Sequence, residues 1–248
     1  MRENFVINPE YSQIAEKLGQ VLHNFSKKGE TVAKGERNVI KRVQLGGASL
    51  NIKKFKTPNT FQSLVYRFVR KSKAKRSFEY ASKLIALDIK TPIPVAYMER
   101  FSLGLKESFY VSEHINFDYD FRELIHNPKF KKRKEILRQF ARFTFKLHEN
   151  GINFLDHSPG NTLIVENGRD NYEFYLIDLN RMRFEPMDFE KRMHNFRRLW
   201  LSKTMVGIIA KEYASLYGKS FEETNALMLE HSRAFQKKIN SKKLRRRR

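Results

Sequence analysis

The sequence predicts an α+β protein of two lobes. Short extended segments with a single strong helix fill the first part of the chain, and helical periodicity dominates the last part. The pattern changes near residues 114 to 117. Strands and helices segregated along a chain, rather than alternating, are the mark of this class. With 248 residues, 40% of them hydrophobic and including 21 Phe and 10 Tyr, the chain can bury a core without staples.

Residues 1–28 read as a lead-in with one weakly amphipathic helix, Ile14 to Phe25. Extended pieces at Glu30–Lys34 and Val39–Leu45 flank Gly35-Glu36-Arg37-Asn38, which suits a hairpin turn, and Gly46-Gly47 makes a second turn. Ser49–Phe55 alternates, with Leu50 and Ile52 on one face and Asn51 and Lys53 on the other. A three-stranded antiparallel meander follows from these signals. Phe78, Ala81, Leu84 and Ile85 then recur at helical spacing. Pro92 and Pro94 end that helix and lead into strands at Ile93–Phe101 and Glu107–His114. Beyond the change of pattern, Phe130–Glu149 forms a long helix with Gly151 as its stop. Short strands are expected at Thr162–Glu166 and Tyr172–Ile177, and helix from Met187 onward. The expected domains are a first lobe over 29–115, a second over 116–235 and a basic tail over 236–248.

The chain holds 49 Lys+Arg against 27 Asp+Glu, a net charge of +22. A field of that sign favours phosphate-bearing polymers or anionic membrane surfaces. Arg67–Arg76 holds six bases and no acid, and Gln236–Arg248 holds eight and ends in four arginines. Such a terminal block is expected to be an interaction arm without regular structure. Cysteine is absent, which excludes disulfides, thiolate metal sites and cysteine nucleophiles. The segment MRENFVINPE carries two acids and no apolar run, so a signal peptide is not expected. The longest uncharged apolar stretch near the C-terminus, Met205–Ala210, falls far short of the ~20 residues of a membrane span. A cytoplasmic, soluble or peripheral protein is expected.

The chemistry concentrates in GINFLDHSPGNTLIVENGRDNYEFYLIDLNR. Asp156 and Asn161 stand five apart around Pro159-Gly160, and Asp178 follows an apolar strand. A carboxylate on a loop, an amide five residues on and a second carboxylate at a strand end is the arrangement of kinase-type phosphoryl transfer. In it the first carboxylate receives the acceptor proton and the other two residues hold Mg²⁺. Such a kinase needs a lysine on the third strand and a glutamate on the following helix. Lys53 and Glu79 fill those places, although a one-residue slip of register would nominate Lys54.

On KGERNVIKRV, NIKKFKTP, SKAKRSFEYASKL with TPIPVAY, FYVSEHI, LHENGINFLDHSPGNTLI and LIDLNRMRF, the chain resembles the bacterial lipopolysaccharide core kinases. These use ATP to phosphorylate Kdo (3-deoxy-D-manno-octulosonic acid) or heptose of the inner core, and the likeness spans about residues 29–200. It implies a bilobal protein-kinase-like fold, with Asp156 as catalytic base, Lys53 as phosphate-binding lysine and Glu79 as its ion-pair partner. Asn161 and Asp178 become the magnesium ligands, and the backbone of Glu113 and Ile115 would hold adenine. The chain departs from protein kinases in several places. Phe154-Leu155 replaces His-Arg before the catalytic Asp, so control by a phosphorylated activation loop is not expected. Leu179-Asn180 replaces Phe-Gly after Asp178, and Asn51 stands where protein kinases keep a small apolar residue. The glycine loop is reduced to Gly35, beside which Arg37 would touch phosphate and Glu36 would oppose it. Arg181 and Arg183 are candidates for contact with an anionic sugar.

The expected partners are an anionic glycolipid as substrate and an anionic membrane met by the basic tail, with nucleic acid less favoured. A monomer at the inner face of the cytoplasmic membrane is expected. Two other readings share these residues: an atypical kinase of protein or RNA-associated targets, and a pseudokinase working through its basic face.

Overall fold

The computed structural model describes residues 2–27, 29–34, 38–57, 59, 62–63, 65–66 and 70–247. The chain divides into two compact units, Met1–Ile115 and Asn116–Arg248.

The first unit is built on a six-stranded antiparallel sheet. Its strands are β1 (Arg2–Ile7), β2 (Glu30–Lys34), β3 (Asn38–Leu45), β4 (Ala48–Phe55), β5 (Pro94–Phe101) and β6 (Leu105–Glu113), in the order β1-β5-β6-β4-β3-β2. The expected meander is β2-β3-β4. One face of the sheet is covered by α1 (Ala15–His23), where Ile14, Leu18 and Leu22 pack on Leu50, Ile52, Val95 and Phe109. Lys41 closes the end of that helix by donating to the carbonyls of Phe25 and Ser26 at 2.7 and 3.1 Å. Apolar packing of the opposite face groups Phe55 and Tyr97 with Ala74 of α2 (Lys73–Ala86). Ser72 caps α2, accepting from the Lys75 amide at 3.1 Å.

Two expectations change here. The segment read as a lead-in holds β1, which pairs along its whole length with β5 from Arg2 opposite Phe101 to Ile7 opposite Ala96. Ile85, assigned to the apolar face of α2, is 44% exposed, because Ala81 and Leu84 already fill the face that meets the sheet.

The second unit gathers α3 (Arg122–His126), α4 (Arg133–Glu149), α5 (Phe189–Asn195), α6 (Lys203–Tyr217) and α7 (Phe221–Arg247) around one core. Ile136, Leu137 and Phe140 of α4 meet Val206, Ile209 and Tyr213 of α6 there, with Phe196, Ile164 and Met228. A three-stranded sheet, β10 (Tyr172–Leu176), β9 (Thr162–Glu166) and β7 (Tyr119–Asp120), lies beside a two-stranded one of β11 (Met182–Phe184) and β8 (Ile152–Phe154). Gly151 ends α4 at φ +66°, and a Cβ there would stand 3.0 Å from the Glu185 carbonyl oxygen, so this stop requires glycine. The basic segment from Gln236 is not an unstructured arm but the end of α7. Its Gln, Lys, Arg and Leu are strong helix formers, and cations complement the carbonyl end of a helix. Among the described residues no helix is long and apolar enough to cross a membrane.

Candidate active site

β8 and β11 hold the loop that carries Asp156. Met182 pairs with Phe154, and the Leu155 amide donates to the Arg181 carbonyl at 3.0 Å. The chain then turns sharply, with the Ser158 amide on the Asp156 carbonyl at 2.7 Å, and a single 3-10 turn covers Pro159–Asn161. Asn161 returns to the start of the turn, its Nδ2 donating to the Asp156 carbonyl at 2.8 Å. The Ile177 amide donates to the Asn161 carbonyl at 3.0 Å, which brings the strand end carrying Asp178 alongside. Asp178 itself takes the left-handed conformation at φ +58°, uncommon for a residue with a side chain. Its Oδ1 accepts from Asn180 Nδ2 at 2.6 Å. Spacing in the sequence nominated Asp156, Asn161 and Asp178, and this hydrogen-bonded loop gathers all three.

The donor set fits a small hard cation. Asn161 spends its Nδ2 on a carbonyl, which leaves its Oδ1 as the ligand atom, and Asp178 adds a carboxylate. Two oxygen side chains suit Mg²⁺, which keeps waters and substrate phosphates as its remaining ligands.

Two features of the loop have no signature in the sequence. Arg198, in the 3-10 turn after α5, places Nη2 2.8 Å from Asp156 Oδ1, and Arg181 lies 3.8 Å from Oδ2. The Arg198 guanidinium also sits over the Phe235 ring of α7, 5.5 Å from its centre. The other feature is Asn195 at the end of α5, 1% exposed. Its Nδ2 donates to Asn153 Oδ1 and to the Phe154 carbonyl at 2.9 and 3.1 Å. Its Oδ1 receives His148 Nε2 and His157 Nδ1 at 3.3 and 3.2 Å. Because one oxygen serves both rings, each imidazole carries its proton on the nitrogen facing Asn195, and Tyr213 donates to His148 Nδ1 at 2.7 Å. Burial pushes His148 down to about 3 and His157 down to about 4, so both stay neutral.

In the first unit the register separates the two lysines. Lys54 forms an ion pair with Glu107 and lies over the rings of Phe25 and Phe109, on the α1 side. Lys53 lies over Phe55, on the α2 side, 5.3 Å from the ring centre. Glu79 of α2 receives Lys71 at 2.8 and 3.0 Å. Lys71 precedes the cap Ser72, which lies seven residues before Glu79 on the same face of the helix, so Lys71 is within reach of the carboxylate. That hydrogen bond raises Lys71 above its ordinary value. Glu113 is fixed by Tyr11, whose hydroxyl donates to its Oε1 at 2.6 Å, and its amide donates to the Ile93 carbonyl at 2.9 Å. Asn51 Oδ1 lies 3.3 Å from His114 Nδ1, between Glu113 and the half-buried Ile115. Arg37 lies outside the described residues.

A search of curated proteins returns no match. Among solved structures the chain is similar to WaaP in complex with acyl carrier protein, at 16% identity, with a TM-score of 0.65 over 96% of this chain and 99% of that one. That likeness shows a shared fold. A MAP kinase of Leishmania major aligns at 14% identity over 88% of this chain and 66% of the other, with a TM-score of 0.46. The family model described as "Lipopolysaccharide kinase (Kdo/WaaP) family" matches residues 33–219. That match takes in β3 to β6, α2, the Asp156 loop, Asp178 and Asn195. The chain therefore belongs to the lipopolysaccharide kinase (Kdo/WaaP) family and is a phosphotransferase with a kinase-like fold.

Proposed function

We propose that this lipopolysaccharide kinase transfers the γ-phosphate of ATP to a hydroxyl of a Kdo or heptose sugar in the inner core. The observation that carries the reading is the loop in which Asn161 binds the Asp156 carbonyl and Ile177 binds Asn161, so that base and cation ligands share one scaffold. Asp156 receives the proton of the attacking hydroxyl as the bond to phosphorus forms. Arg198 holds one oxygen of that carboxylate and so orients the other, while Arg181, 56% exposed, is placed to meet an acidic group of the acceptor. Asn161 and Asp178 would hold Mg²⁺, whose charge offsets that of the phosphates. Lys53 would bind the phosphates and Glu79 would pair with it, with Arg37 as a further phosphate contact. The backbone of Glu113 and Ile115 would receive adenine. The chain acts as a monomer, peripheral to the inner face of the cytoplasmic membrane, with the basic end of α7 toward the lipid.

The test is label transfer from γ-labelled ATP with Mg²⁺ to purified lipopolysaccharide core, with a basic protein and buffer in parallel. Label enters the glycolipid alone. Asp156→Asn lowers turnover by about 10²–10⁴-fold, the usual contribution of a general base, and leaves nucleotide affinity nearly unchanged. Undiminished turnover by that variant removes Asp156 from the mechanism.

A further inference from the structure

The second unit carries another constellation, reached from the Asp156 carboxylate through Arg198 and the Phe235 ring beneath it, and built of residues other than those of the transfer site. His231, Ala234, Phe235 and Lys238 lie on one face of α7, spaced by three and four residues. Opposite them stand His194 of α5 and Arg197 of the following turn. Together these six residues line a cavity of about 200 Å³. At ~30 Å³ per water the space holds about six waters, enough for a phosphate and the start of its ester group.

Every ionisable group lining this cavity is basic. Among the described residues, neither Arg197 nor Lys238 has a carboxylate within ion-pair distance. Arg197 uses one nitrogen, Nη1, on the carbonyl and Nδ1 of His194, at 2.8 and 3.1 Å. His231 Nε2 is buried without a hydrogen-bond partner, and its ring stands 5.0 Å from that of His194. A half-buried guanidinium without a counterion is costly, and so is a buried ring nitrogen without a partner. The crowding of positive groups shows in their titration. His194 is pushed down to about 4 by burial, then by Arg197 and His231, and Arg197 is lowered by burial and by Arg198. An anion in the cavity offsets the mutual repulsion of these positive groups. Nitrogen donors converge from a guanidinium fork, an ammonium and two imidazoles, which matches a tetrahedral oxyanion with several oxygens better than a two-oxygen carboxylate.

We infer that the cavity formed by His194, Arg197, His231 and Lys238 is a phosphate-binding site, separate from the phosphoryl-transfer centre. It takes either a soluble phosphate compound or the headgroup phosphate of a lipid. The experiment measures equilibrium binding of the full chain at constant ionic strength in two arms. One arm replaces chloride by inorganic phosphate. The other compares phosphatidylcholine vesicles carrying phosphatidic acid with vesicles carrying the same surface charge as oleate. A preference for phosphate is expected in at least one arm, the first identifying a soluble ligand and the second alone a lipid headgroup. Arg197→Gln and Lys238→Gln each weaken the preferred binding about tenfold, the scale of one charge-assisted contact. The paired change Lys242→Gln/Lys243→Gln lowers phosphatidic acid and oleate binding alike and leaves the preference intact. Lys238 is exposed, so its substitution tests the site even if Arg197→Gln disturbs folding. No preference for phosphate in either arm, or a preference that survives loss of Lys238, overturns the inference.

Discussion

Four groups converge on the side chain of Asn195, and three of them belong to the segment Asn153–His157 that carries Asp156. An amide is suited to this place because it accepts from two neutral rings and donates twice at once. Asn195→Leu keeps the volume but leaves two imidazole N–H groups unpaired and takes from the Phe154 carbonyl one of its two donors, the His157 amide remaining at 3.1 Å. At ~1–3 kcal/mol for each buried unsatisfied group, the variant loses about 3 kcal/mol of stability. Its kcat falls while nucleotide affinity holds, which urea unfolding and label transfer check separately. Asp156, Asn161 and Asp178 were legible in the sequence because a turn and a short hairpin fix their spacing. Asn195 and Arg198 were not, since the contact to His157 already spans 38 residues and only the packed helices set it. The contact of Lys71 with Glu79 was equally hidden, because motif order says nothing of a second cation next to the helix cap.

At the scale of elements, alternation and turn residues gave β2, β3 and β4 within a residue or two, and helical spacing gave α2 and α4. β1 escaped because its partner lies more than ninety residues away, as in the contact of Asn4 with Tyr97. β8 and β11 escaped because three residues carry no period. The basic segment was misread for a different reason: like charge was weighed above helix propensity, yet no glycine or proline follows Gly218. Its helical end puts five bases, from Lys242 to Arg247, on the last turns of α7. Each Lys or Arg near an anionic leaflet contributes ~1 kcal/mol. Deleting residues 239–248 therefore lowers binding to phosphatidylglycerol vesicles at least about tenfold at low salt. Turnover of a soluble acceptor stays unchanged, and unaltered vesicle binding would remove α7 from the membrane contact.

For the whole molecule, the buried histidines tie folding to acidity. His148 and His157 are neutral when folded, at about 3 and about 4, and reach 6.5 when exposed. Their contribution is complete above pH 6.5. Below that the unfolded chain binds protons that the folded chain refuses, so stability falls as pH drops toward 4, by roughly 1 kcal/mol per pH unit from each ring. His194, also pushed down to about 4, adds a third ring, so urea midpoints recorded from pH 7 to pH 5 should decline steadily, with about two-thirds of the slope in His148→Gln. A flat profile would mean that the two rings are not held neutral.

α7 has a further consequence for how the protein approaches other bodies. Its 27 residues extend about 40 Å at 1.5 Å each, and the arginines cluster at one end of that length. The centre of charge of the second unit is thus displaced from its centre of mass, which gives the unit a permanent electric moment. In the field of an anionic surface such a body feels a torque before it makes contact, so it rotates while still diffusing and arrives with the terminal arginines leading. Orientation would then be settled during the encounter, over a range set by the ~10 Å screening length at moderate salt.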